Sequence, residues 1–365
     1  MSVNSLIASV FRPEVRAMSA YKVADADGLI KLDAMENPYQ WPQLVKQQWL
    51  QLLQDCPLNR YPDPAARRLT QRLRQVNHIS SEFGLLLGNG SDEIILLLLM
   101  ALKSDACILA PEPSFVMYKQ LSQSLGLAYQ GIPLSGKSFD LDLPAMLAAI
   151  EQYQPAIIFL AYPNNPTGNL FNISSIEQMI EASSGLVVID EAYTPFARTS
   201  FAGSLGRYPN LLIMRTLSKL GLAGLRLGYL AGAPEIIAEL DKIRLPYNIN
   251  SLTQLSADFA LTHQTLFDQQ TEQICAERTR LTLALERLDG LITYPSAANF
   301  ILFKTPENQA SRLFELIKAQ GVLIKNLSPQ GGMLADCLRV TVGKPEENDA
   351  FLSALRDSLK GLETP

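Results

Sequence analysis

Lys219 is the residue whose surroundings best suit covalent chemistry. It lies in residues 214–229, MRTLSKLGLAGLRLGY, behind Thr216 and Ser218 and seven positions ahead of Arg226. The run before it, residues 211–214, is apolar enough for a buried strand, so the lysine stands at that strand's inner end, crowded by Gly221, Ala223, Gly224 and Gly228. An amine held there can shed its proton and condense with a carbonyl as a Schiff base. Two hydroxyls and an arginine beside it suit a phosphate ester. A reactive lysine next to a phosphate cradle is what pyridoxal 5'-phosphate (PLP) requires. Taken alone, the run reads equally well as a solvated lysine in a Gly-rich turn.

Four further stretches carry chemistry. Leu87-Gly88-Asn89-Gly90-Ser91-Asp92 joins a predicted strand to a predicted helix, where backbone N–H groups favour a phosphate. A dinucleotide fingerprint fails there, because the position of its third glycine holds Glu93; a plain Gly-rich turn remains open. Asn165, in NNPTG, has a side-chain amide able to donate to a ring phenolate, and a bland turn is the alternative. Asp190, in DEAY, follows an apolar run, and a carboxylate at a buried strand end is costly unless paired. A protonated pyridine nitrogen would pair it and keep the ring an electron sink. Tyr193 would then share the ring oxygen with Asn165; a helix-capping aspartate beside a packed tyrosine is the plainer reading. Arg339 sits in the late apolar stretch CLRVTVG, where a guanidinium suits a carboxylate or, on an edge strand, reaches solvent.

These residues need a frame. With 365 residues, 47% hydrophobic and 18% charged, the chain can build about two cores. Residues 1–40 look irregular. Predicted helices at 42–56 and 65–76 follow. Buried strands at 85–87, 106–110, 156–162, 186–189, 211–216 and 227–231 then alternate with helices at 92–102, 115–125, 143–153 and 174–182. Such alternation predicts an α/β layer with a mostly parallel sheet, whose ligands sit at the carboxyl ends of its strands. Most of the residues singled out follow a predicted strand end. A long helix at 264–288 leads into a smaller α+β unit. The expected division is an arm with part of the small domain at 1–62, a large domain at 63–262 and a small domain at 263–365.

Several classes are set aside. Net charge is −5 with no basic block, which argues against nucleic acid and anionic membranes. The longest apolar run, residues 94–102, is far short of the ~20 a membrane span needs, and the N-terminus lacks a signal-peptide core. Cys56, Cys107, Cys275 and Cys337 make no CxxC pair and suggest free thiols in the cytoplasm. His78 and His263 are too far apart in sequence for a metal site or a serine triad, and read as surface or helix-end residues.

In order along the chain, the glycine loop, NNPTG, DEAY, SK…R and the late arginine resemble fold-type I PLP-dependent aminotransferases over residues 21–343. The likeness is strongest to the histidinol-phosphate aminotransferase subgroup. It rests on Tyr21 with GLIKLDAMENPY, on RYPDP, on the RTLSK…GLRLGY spacing and on CLRVTVG. The resemblance implies a mostly parallel seven-stranded sheet flanked by helices, a smaller α+β domain and a homodimer. It implies that Lys219 binds PLP and shuttles protons, that Asp190 pairs with the pyridine nitrogen, and that Asn165 and Tyr193 bind the phenol oxygen. Gly90, Ser91, Asp92, Thr216, Ser218 and Arg226 would hold or adjoin the cofactor phosphate, with Tyr61 entering from the neighbouring subunit. Asn37 and Arg339 would bind the α-carboxylate of glutamate or 2-oxoglutarate, and Tyr21 and Lys325 would complete the substrate site for imidazole acetol phosphate or histidinol phosphate. Threonine-phosphate decarboxylases and aromatic or broad-range aminotransferases share much of the pattern. The chain departs from it in three places: Phe115 stands where a stacking tyrosine is usual, Lys325 near a usual arginine, and Met35 where asparagine is common.

Overall fold

The computed structural model describes residues 1–20, 23–136 and 138–363. Helices α1 (Val3–Val10) and α2 (Pro13–Ala17), strand β1 (Ile30–Lys31) and helices α3 (Gln43–Gln54) and α4 (Arg67–Asn77) come first. Short helices thus replace the irregular start. In α1, Val3, Leu6, Ile7 and Val10 do fall at helical spacing, but the signal lasts only two turns and every side chain is exposed.

Next come β2 (Gly84–Gly88), α5 (Ser91–Met100), β3 (Cys107–Glu112), α6 (Val116–Ser124), β4 (Ala128–Pro133) and α7 (Leu143–Tyr153). Strand β5 (Ile157–Ala161), α8 (Ile173–Ala182), β6 (Leu186–Asp190), α9 (Thr194–Ala197), β7 (Leu211–Thr216) and β8 (Gly228–Gly232) complete the large layer. Its strands form one seven-stranded sheet in the order β2-β8-β7-β6-β5-β3-β4. Only β8 runs against its neighbours, β2 and β7. Strands β5 and β6, IIFLA and LVVID, show no polar alternation because both sheet faces are covered. The two-residue period sends Ile158 and Leu160 into a core under α7 and α8, while Ile157 and Phe159 enter another under α5, α6 and α10 (Pro234–Asp241). The edge strand β4, AYQGIP, is missing from the sequence expectation because it is half-exposed and carries little apolar signal.

Register places the important residues on one edge. Ala161 pairs with Asp190, Asp190 with Met214, Thr216 with Gly228, and Gly228 with Gly88. The carboxyl ends of β2, β5, β6 and β7 are therefore level, and the segment joining β7 to β8 lies across them.

Helices α11 (Ser251–Leu261) and α12 (Gln264–Leu285) lead to β9 (Ile292–Thr293), β10 (Phe300–Lys304), α13 (Ala310–Ala319), β11 (Val322–Leu323), β12 (Lys325–Asn326), β13 (Cys337–Thr341) and α14 (Pro345–Glu363). Strands β12-β13-β10-β9 form an antiparallel sheet, and β1 pairs with β11 in parallel. Apolar residues of α12, α13 and α14 close one core with this sheet. His78 ends α4 and His263 precedes α12, and the four cysteines are unpaired. Among the described residues no helix is long and apolar enough to cross a membrane.

Candidate active site

The chain leaves β7 at Thr216 and makes a wide helical turn through residues 218–222, broken at Gly221 with φ 116°. This turn aims Lys219 into a cavity along the carboxyl edge of the sheet. The lysine Nζ donates to the Ala34 carbonyl at 3.2 Å and lies 5.8 Å from the centre of the Tyr193 ring. Burial, followed by the positive charge of Arg339, lowers the amine pKa to about 8. At pH 7 about one amine in ten is then uncharged, against about one in three thousand for an ordinary lysine.

Asp190, the last residue of β6, faces the same cavity and is 4% exposed. Its Oδ2 accepts from the Tyr118 hydroxyl at 2.6 Å and its Oδ1 from the Ala192 N–H at 3.1 Å. Burial pushes its pKa up to about 6, and those two donors restrain the rise. Among the described residues no lysine or arginine counts among the causes that lower it. A buried carboxylate held by neutral donors and lacking a basic partner fits a cationic ligand atom, as a protonated pyridine nitrogen would be.

The opposite end of the cavity suits a phosphate. Ser91 and Asp92 open α5, whose N-terminus has no side-chain cap, so its first N–H groups are available to an anion. The Ser218 hydroxyl lies 2.9 Å from that of Thr216, and Arg226 Nη2 is 3.5 Å from Asp92 Oδ2. Two glycines are sterically required. Gly90 has φ 82°, a conformation that side chains rarely adopt, and on Gly228 a Cβ would meet the Ser91 backbone nitrogen at 2.8 Å.

Between the two ends lie groups suited to an aromatic ring. Phe115 lines the cavity beside Asn165 and Tyr193. The Asn165 Oδ1 accepts from Arg339 Nη1 at 2.6 Å, which leaves its amide nitrogen as the end free to donate. Tyr193 is buried against the Phe300 ring at 5.1 Å, and burial raises its pKa, so it keeps its proton as a donor. Arg339 is not an edge residue: β13 lies between β12 and β10, and the side chain is 6% exposed with Nη2 on the Asp33 carbonyl at 3.0 Å.

Other expected residues lie off this cavity. Asn37 Nδ2 donates to the Leu220 carbonyl at 3.1 Å and to Gln270 Oε1 at 3.0 Å, so it braces the turn that carries Lys219. Lys325 pairs in register with Arg339 on β12. Tyr61 is 81% exposed and stacks on Tyr247 at 4.5 Å, away from the Lys219 cavity of its own chain. Tyr21 lies outside the described residues.

One residue of the site escapes the sequence reading: Tyr118, an aromatic three positions after Phe115. Met35 lines the cavity with φ 54°; asparagine tolerates that left-handed conformation better than methionine, which accounts for its being common there.

The sequence model for the family described as aminotransferase class I and II matches residues 27–355. The chain is 55% identical over 355 residues to histidinol-phosphate aminotransferase 2 of Nitrosococcus oceani, covering 97% of this chain and 98% of that protein. It is 49% identical over 370 residues to histidinol-phosphate aminotransferase 1 of Ralstonia nicotianae, covering 100% and 98%. The crystal structure of the histidinol-phosphate aminotransferase of Sinorhizobium meliloti in complex with PLP superposes with a TM-score of 0.83 at 23% identity, covering 97% of this chain and 98% of that one.

Proposed function

The chain belongs to the class I and II aminotransferase family, and on that premise we propose that it is the PLP-dependent histidinol-phosphate aminotransferase of histidine biosynthesis. It exchanges an amino group between glutamate/2-oxoglutarate and imidazole acetol phosphate/histidinol phosphate in a ping-pong sequence. One observation carries the chemistry: a lysine amine made partly uncharged by burial shares a cavity with a buried carboxylate that has no basic partner among the described residues. The full-length likeness to enzymes of that name narrows the substrate.

When bound, PLP supplies an aldehyde and an electron-withdrawing ring. Lys219 would be the amine that holds it, and the same Nζ is placed to carry a proton to and from the substrate Cα as a general base. Asp190 would pair with a protonated ring nitrogen. Asn165 and Tyr193 donate to the ring oxygen, and Phe115 covers a ring face. The N–H groups of Ser91 and Asp92, the Ser218 hydroxyl backed by Thr216, and Arg226 would bind the phosphate, with Gly90, whose N–H donates to the Gly88 carbonyl at 2.9 Å, shaping the loop beside it. Arg339 holds the substrate α-carboxylate. Asn37 must release Gln270 or Leu220 to join it directly. Lys325 and Tyr21 serve the phosphorylated end of the substrate.

We further infer a cytoplasmic homodimer, with an arm at 1–62, a large domain at 63–262 and a small domain at 263–365. The large exposed Tyr61 ring supports a shared site. In mixed dimers, Tyr61→Phe in one subunit lowers PLP affinity in the partner's site by about tenfold, as loss of a hydrogen bond to a charged group predicts. An effect confined to the subunit carrying the substitution refutes the shared site.

The substrate reading is tested with a panel. Glutamate with imidazole acetol phosphate gives 2-oxoglutarate and histidinol phosphate, and threonine phosphate releases no CO₂. Efficient CO₂ release, or faster transfer to aromatic keto acids, overturns the assignment while leaving the PLP chemistry standing.

A further inference from the structure

We propose that Tyr118 is a positioning residue for the cofactor ring: its hydroxyl fixes the Asp190 carboxylate, and its ring braces Phe115, which covers the ring's face. The inference rests on Asp190 facing the ring nitrogen. Tyr118 is fully buried on α6. It stacks on Phe159 with centroids 4.6 Å apart and planes 7° from parallel, and meets Phe115 edge-on at 5.5 Å and 87°. With the 2.6 Å bond to Asp190 Oδ2, three contacts, from the residue capping α6, from β5 and from β6, fix one side chain. Phe115 caps the N-terminus of the helix that carries Tyr118 and meets its ring directly, so the cover over the ring and the support for its counter-charge are in contact.

The hydroxyl also acts on charge. Asp190 lies near Asp92 on α5 and Glu191 beside it, both of which favour protonation. Tyr193 packs near Tyr118, Tyr129 acts on it from β4, and Lys219 lines the same cavity. Against the two carboxylates and burial stand one O–H from Tyr118 and one N–H from Ala192, one on each oxygen. A donor to the ionised form favours it. Burial keeps Tyr118 protonated, so it stays a donor.

Tyr118→Phe keeps both ring contacts and deletes only the hydroxyl. The expected results are an acid limb of PLP binding to apoprotein shifted up by about one pH unit, and a ¹⁵N signal of ring-labelled PLP moved toward the unprotonated nitrogen. Reconstituted enzyme loses about tenfold in kcat, with KM for glutamate within about twofold. Phe159→Leu, which loosens the stack and spares the hydroxyl, leaves the limb and the signal in place. The proposal is overturned if Tyr118→Phe moves neither, or if Phe159→Leu moves both as far. Asp190→Asn runs in parallel. A changed ¹⁵N signal there with none in Tyr118→Phe removes Tyr118 alone; an unchanged signal there removes the assignment of Asp190 and this inference with it.

Discussion

Lys219→Ala eliminates borohydride-fixable attachment of PLP and lowers amino transfer by at least about 10⁴-fold, the upper end of a single general acid–base contribution. Two roles disappear together, the attaching amine and the proton carrier, and no second lysine lines the cavity among the described residues. Arg226 and Arg339 are permanent cations, and Tyr193 holds its proton. Phosphate-end contacts persist, so the variant still binds PLP reversibly and remains coloured until dialysed. A reduced, covalently fixed adduct in the variant removes Lys219 from the mechanism. The apoprotein gives a second, independent readout. The amine pKa falls from 10.5 to about 8 on folding, so the unfolded chain holds that proton more tightly. The penalty for burying the charged amine is present in full below about pH 8 and fades as pH rises toward 10.5. Relative to wild type, Lys219→Ala apoprotein therefore melts highest at pH 7 and below and loses that advantage as pH climbs through this window. Melts of both apoproteins at pH 7 and pH 9.5 check the sign.

How much of this the sequence discloses depends on direction. Asp190 is legible because it directly follows an unbroken apolar run and Lys219 because it lies just beyond one, and a buried strand opens to ligand only at its end. The reversed β8 was legible in principle: residues 217–227 are too few for the helical crossover a parallel neighbour needs. Side-chain aim was not legible. Asn37 donates to Leu220 and Gln270, and Lys325 lies on β12 in register with Arg339, partnerships that the resemblance does not disclose, and the substrate roles it implies for both stay proposals. Tyr118 was hidden for the converse reason: an aromatic at helical spacing reads as core, and it is core, with one polar atom whose partner lies 72 positions away.

Asp190→Asn has the second largest effect, and in two opposed directions. An amide cannot balance a protonated ring nitrogen. Leaving a buried charge without its partner costs about 3–5 kcal/mol, so the nitrogen loses its proton instead, and turnover falls by about 10²–10³-fold. The unliganded fold responds the other way. Its carboxyl pKa is raised from 3.8 to about 6, so the fold binds that proton more tightly than the unfolded chain does. The destabilisation is absent below pH 3.8, grows between 3.8 and 6, and is complete above 6, where it amounts to about 3 kcal/mol. Asparagine removes it but satisfies only one of the Tyr118 and Ala192 donors, returning about 1 kcal/mol. Asp190→Asn apoprotein is then more stable than wild type by about 1–2 kcal/mol at pH 7 and no more stable at pH 4. Denaturant melts at the two pH values, set beside turnover, test both halves. Near-normal turnover would falsify the electron-sink role, and an apoprotein weakened at pH 7 would show that the carboxylate is no burden to the fold. The expected pair, stability gained and activity lost at one position, is the signature of a charge kept in the core for a ligand.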